Sequence, residues 1–203
     1  MKNTIFLLAV FACQLVLLAA PVSVAAQQAQ SKPQIKMVAN QRLFVKAKEC
    51  LGREMWKPGY GLDKGTLGCA AALCNVLKEA GNGSVHSALV TVVRRQLLAS
   101  PNRCTELIVR NGEGREIEDS KLLKLCQPGD ILLAFLESPS KLNGGPNAHC
   151  GIMGQGTQVL TNNWNDGIWT QVEIHQMFDS YPYVRLLRFV PPAGRPADVK
   201  PNK

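Results

Sequence analysis

Several features are missing from this 203-residue sequence, and each absence narrows what the chain can be. It has no self-similarity at periods of about 20–50 residues, which argues against a solenoid. Its 17 glycines and 12 prolines follow no short period, which excludes collagen-like and low-complexity chains. There is no C-x-x-C pair, and only one of the three histidines, His149, lies close to a cysteine, so no zinc site is expected. Beyond the N-terminal segment, no apolar run approaches the ~20 residues of a membrane-spanning helix. The basic residues are scattered instead of forming a stripe, which argues against nucleic-acid binding. Apolar residues make up 46% of the chain and charged residues 19%. That composition suits one globular domain with a real core, or at most two small ones. The net charge of +8 favours anionic partners without choosing among them.

The N-terminus reads as an export signal. Lys2 supplies a charged start, Ile5 to Ala20 is almost wholly apolar, and the small residues up to Ala26 suit a signal peptidase, so residues 1–26 are assigned to a cleaved leader. The rival reading is an uncleaved anchor, which the short apolar run disfavours. Export to the cell envelope or beyond, with no stable membrane insertion after cleavage, is the expectation. Residues 27–36 read as a flexible lead-in, 37–190 as the folded domain and 191–203 as a disordered tail. An exported chain can oxidise its thiols, and six cysteines follow the leader: Cys50, Cys69, Cys74, Cys104, Cys126 and Cys150. With one kept free for chemistry, at most two disulfides form, and their pairing is not legible.

Hydrophobic periodicity predicts a helix from Met37 to about Met55, a second from Cys69 to Ala80 capped by Gly81, and a third over Val85–Leu98. Lys57–Thr66 is a loop. After Pro101 the period changes, and strands are predicted at Leu107–Val109, Ile131–Leu136, Ala148–Met153, Gln158–Asn162, Ile168–Ile174 and Val184–Val190. Helices first and strands later predict an α+β domain with an antiparallel sheet.

Two residues stand out chemically. Cys69 opens a helix, where the macrodipole and free amide N–H groups favour a thiolate; the competing reading is a buried or disulfide-bonded cysteine. His149 lies in a strand before the Gly154-Gln155-Gly156 turn. With Gln155 and Gly156 as the turn residues, His149 opposes Asn162, so an imidazole and a carboxamide share one face. A slip of one residue presents Thr161 or Asn163 instead. Cys150 points away from His149 and is a poor nucleophile. His86 reads as a solvated loop residue. His175 follows a strand with no polar partner apparent, and Cys74 belongs to the core or a disulfide.

The stretch AKECLGREMWKPGYGLDKGTLGCAAALCNVLKEAG resembles the opening of NlpC-type cell-wall peptidases and the related CHAP amidases. LLKLCQPGDILLAF resembles their Leu-x-Pro-Gly-Asp strand entry, HCGIMGQG their histidine strand and hairpin, and YVRLLRFV their closing strand. Asn162-Asn163-Trp164 is similar to the Asn-x-Trp context of the wider papain-like superfamily. The chain departs from the pattern at Gly68, where an Asp is usual, at the Ala-Ala that follows the cysteine, and in lacking a tyrosine soon after Leu51-Gly52.

The resemblance implies a papain-like fold, with helices packed on an antiparallel sheet. It also implies Cys69 as nucleophile, His149 as base and Asn162 as the residue that orients the ring. Trp56, Tyr60, Asn163 and Trp164 are candidate substrate-binding residues, although aromatics at such places as often serve packing. The implied activity is hydrolysis of amide bonds in peptidoglycan stem peptides by a monomer, with no metal or organic cofactor. The alternatives are a disulfide-stabilised binding protein without turnover, in which Cys69 is oxidised, and an antibacterial effector with the same chemistry.

Overall fold

In the computed structural model, the described residues are 39–190, except 100, 103, 113–116 and 140–146. The expected leader, lead-in and tail lie outside them. Helix α1 (Ala39–Glu49) buries Leu43 and Ala47, four apart on one face. It ends earlier than its apolar pattern predicts. Gly52 turns the chain at φ +79°, and its N–H bonds Trp169 O at 2.9 Å while Trp169 N–H bonds Arg53 O at 2.9 Å, so this stretch pairs with a strand edge instead of continuing the helix.

Helix α2 (Cys69–Glu79) is buried along most of its length, and its alanines let it lie close to the sheet. It closes as the Gly81 signal predicts. Gly81 has φ +92°, its N–H bonds Lys78 O at 3.0 Å, and Asn82 N–H bonds Leu77 O at 2.8 Å, the two bonds of a Schellman cap. Helix α3 (Val90–Leu98) starts five residues later than expected. The preceding segment is pinned otherwise: His86 stacks on Tyr60 with ring centroids 4.4 Å apart, and the Leu89 N–H bonds Ser87 Oγ. His86 is exposed in this loop, as expected, with one ring face on Tyr60.

Six strands form one antiparallel sheet: β1 (Cys104–Asn111), β2 (Ile131–Phe135), β3 (Ala148–Met153), β4 (Gln158–Asn162), β5 (Trp169–Glu173) and β6 (Tyr183–Phe189), in the order β1-β6-β2-β3-β4-β5. The fold is α+β, as expected. Strand β2 is buried at all five positions because both faces of the sheet are covered, so it reads as an unbroken apolar run. On one face, Leu133, Cys150, Ile152, Leu160 and Leu187 pack against α1, α2 and α3. On the other, Leu132, Met153, Val159 and Leu186 pack against two short helices, α4 (Asp119–Leu125) and α5 (Ile174–Phe178). Neither short helix was predicted, since one or two turns are too few to show a period.

The Pro-Gly-Asp entry to β2 is a structural joint. Asp130, fully buried, accepts two bonds from the Arg188 guanidinium at 2.8 and 2.6 Å, one from Asn40 Nδ2 at 2.7 Å and one from the Gln127 N–H at 2.8 Å. It ties α1, β2 and β6 together. Gly129 has φ +90°, and a Cβ there would lie 1.9 Å from Asn40 O, so only glycine fits.

Candidate active site

The loop before Cys69 is shaped by Trp56. A Cβ on Gly68 would lie 2.4 Å from Trp56 Cβ, and one on Gly65 would lie 2.5 Å from Trp56 Nε1. The indole thus occupies the space that a side chain at position 68 would need. Trp56 is 6% exposed and Tyr60 is packed against His86, so both serve as packing and neither walls the groove.

The β3–β4 hairpin sets the face of each candidate partner of His149. Its loop has three residues, 155–157, with Gly156 at φ +64° and Gly154 N–H bonded to Gln158 O at 2.8 Å. Gly at the left-handed position of a three-residue loop is a common hairpin solution. It shifts the register by one from the two-residue expectation, pairing Gly151 with Thr161, Ile152 with Leu160 and Met153 with Val159. Thr161 is thereby placed on the His149 face and Asn162 on the opposite one.

The contacts follow that register. Thr161 Oγ1 lies 2.9 Å from His149 Nε2. The ring reaches it across Gly151, where a Cβ would meet Leu160 O at 2.7 Å and Val159 Cγ2 at 2.8 Å. Asn162 is not the orienting residue. Its Nδ2 donates to Gly65 O at 2.7 Å, fastening the 3-10 turn Gly65–Leu67 that precedes Cys69. Asn163 does not line the groove either. It closes the β4–β5 turn, with Oδ1 accepting the Asn165 N–H at 2.9 Å.

The hydroxyl also fixes which imidazole nitrogen carries a proton. Thr161 Oγ1 donates its only proton to Cys150 O at 2.6 Å, and that carbonyl can only accept. Toward His149 the hydroxyl must therefore accept, so Nε2 bears a hydrogen and Nδ1 is the nitrogen left outside this bond. His149 is 3% exposed, with its ring between Phe178 and Trp164 at centroid distances of 5.0 and 5.4 Å.

Cys69 enters from the helix side of the sheet, whereas His149 packs on the other side. They meet because β4 pairs with β3 only from Gly151 onward, leaving the edge at residues 148–150 open to the start of α2. There Cys69 Sγ lies 3.8 Å from Ala148 O. The Cys69 thiol is held well below the ordinary thiol range. The neighbouring Cys150 thiol favours the thiolate most, and the His149 side chain and the Ala70 N–H add to it, outweighing burial. Cys150 is pushed up by burial and by the neighbouring Cys69 sulfur. It was set aside as a nucleophile, and it stands instead as the neighbour whose thiol favours the Cys69 thiolate.

Cys69 and His149 lie in a cleft of about 400 Å³ that Trp164 and Tyr181 also line. The Tyr181 phenol is pushed up to about 12 by burial and the nearby cysteines, so it remains a neutral O–H at the cleft wall. No sequence signal pointed to Tyr181, which lies in an irregular segment after α5.

All six described cysteines are free thiols, so the expected disulfides are not formed. Cys74 is a core thiol whose Sγ lies 3.5 Å from Ser87 O. His175 does have polar partners: Nε2 lies 2.7 Å from Asp119 and Nδ1 2.9 Å from Asp179, linking α4 to α5. Among the described residues there is no group of three or more His, Cys, Asp and Glu side chains that could hold a metal ion, and no helix is long and apolar enough to cross a membrane. The sequence matches no protein-family model, and no curated protein matches it significantly.

Proposed function

We propose that the protein is an exported cysteine hydrolase with a papain-like arrangement, cleaving amide bonds in peptidoglycan stem peptides. The observation that carries this reading is the meeting of a thiolate-favouring Cys69, at the start of a buried helix, with a His149 ring whose tautomer Thr161 fixes. Both lie in an open cleft. A cysteine kept only for packing needs neither a low pKa nor access to solvent. The free thiol at position 69 also speaks against a binding protein in which that cysteine is oxidised. The peptidoglycan substrate rests on the family resemblance, and the basic charge suits an anionic wall.

In this reading His149 Nδ1 takes the Cys69 proton and the sulfur attacks the amide carbonyl carbon. The first-turn N–H groups of α2, beginning with that of Cys69, face the developing oxyanion. The imidazolium then gives its proton to the leaving amine as the C–N bond breaks. The thioester left on Cys69 is hydrolysed by water, with His149 again as base, releasing a carboxylate and restoring the thiol. Thr161 keeps the Nε2 hydrogen in place throughout and accepts from the imidazolium.

The test is mass spectrometry of muropeptides after digestion of purified peptidoglycan. New amine and carboxylate ends are expected with the unaltered protein and none with Cys69→Ala or His149→Ala. Products that persist in both variants would defeat the assignment.

A further inference from the structure

The walls of the cleft carry information that the catalytic residues do not. Among the described residues lining it, none is Asp, Glu, Lys or Arg. Leu67 precedes α2, Leu89 precedes α3, Leu136 follows β2 and Trp164 lies in the β4–β5 turn, so four separate elements each bring a large apolar side chain to the mouth. These four are 76%, 57%, 44% and 38% exposed, and they account for four of the nine exposed large apolar side chains among the described residues. Scattered exposed apolar side chains need no explanation, but four gathered around the cleft that holds Cys69 make its rim largely apolar.

Resting on the reading of Cys69 as nucleophile, we infer that the substrate segment lying in this cleft is uncharged and apolar, and that carboxylate or ammonium groups are excluded from the positions beside the scissile bond. In a stem peptide this selects the alanyl part over the residues with charged side chains. The physical reason is desolvation. An ionised group entering the cleft loses water and meets no Asp, Glu, Lys or Arg among the described lining residues, whereas an alkyl group trades water for leucine and indole surface.

The test uses iodoacetamides with the same electrophile and different tails: N-hexyl, N-(5-carboxypentyl) and N-(5-aminopentyl). In each case the Cys69 sulfur displaces iodide and forms a C–S bond. Rates of Cys69 labelling are measured on the purified full chain by peptide mass spectrometry, divided by the rates with glutathione and compared with plain iodoacetamide. The hexyl reagent is expected to react on the order of tenfold faster than either charged one. The double variant Leu67→Asn/Leu89→Asn, at two exposed positions, is expected to erase that advantage when each rate is divided by the variant's own rate with plain iodoacetamide. Equal rates for the three tails, or a preference for one charge sign, would overturn the inference while leaving the nucleophile assignment standing. A Cys69 that plain iodoacetamide does not label faster than an ordinary thiol would remove both.

Discussion

Thr161 Oγ1 stands 2.9 Å from His149 Nε2 while giving its own proton to Cys150 O at 2.6 Å. One hydroxyl thus contacts both the imidazole and the strand edge over which the thiol sits. Thr161→Val keeps the shape and deletes both bonds. It is expected to lower kcat by about 10- to 100-fold with little change in KM, because the ring loses its fixed tautomer. It should also cost about 1–3 kcal/mol of stability, because the Cys150 carbonyl is left unpaired. Thr161→Ser restores the hydroxyl and should recover most of kcat. Steady-state kinetics with chemical denaturation of both variants checks this, and equal impairment by Ser and Val would sink the orienting role.

The cysteines should separate by pH. Burial pushes Cys50 up to about 11 and Cys104 and Cys126 up to about 12, while Cys69 is held low by the Cys150 and His149 side chains. Near pH 7, iodoacetamide is therefore expected to label Cys69 well before these three, with a rate that falls only as pH drops through the lowered value. Folding stabilises the ionised form, so its contribution is present above the unfolded thiol pKa of ~8.5 and is lost as pH falls through the folded value. Cys150→Ala removes the largest favourable contact and should move the labelling profile to higher pH. Residue-resolved labelling between pH 4 and 9 measures it, and an unmoved profile would count against a role for Cys150 in lowering the Cys69 pKa.

Asp130 is the second position where one side chain decides much. Asp130→Ala strands the Arg188 guanidinium, the Asn40 amide and the Gln127 N–H together. A loss of about 3–5 kcal/mol is expected, as for a broken buried pair. Urea unfolding reads the loss directly. Because Asp130 touches no residue of the cleft, the fraction that remains folded should still alkylate at Cys69 at the original rate.

Much of this architecture was written in local chemistry. The alanine-rich run from Cys69 and the Gly81 cap specify α2, and alternation with Gly punctuation specifies β3 and β4 to the residue. What local chemistry left open was the loop between those strands. Two-residue and three-residue hairpins are both compatible with Gly154-Gln155-Gly156, and the difference exchanges Thr161 for Asn162 on the His149 face. A register error of one residue always swaps the faces, so a partner inferred across a turn is only as secure as the turn. The aromatics failed for another reason: a loop tryptophan looks the same in sequence whether it wedges against glycines, as Trp56 does, or stands at the cleft wall, as Trp164 does.

The sequence alone settled the order and type of the main elements, because helix propensity, period-two alternation and glycine turns act over a few neighbouring residues. It also singled out Cys69 and His149, which line one cleft. Tertiary structure decided that Thr161 takes the second ring nitrogen, that Asn162 anchors the loop before the thiol, and that Cys150 and Tyr181 border the sulfur. Those relationships join residues 12 to 97 positions apart or depend on where one strand stops pairing with the next, and contacts at that range are fixed by packing instead of by local preference.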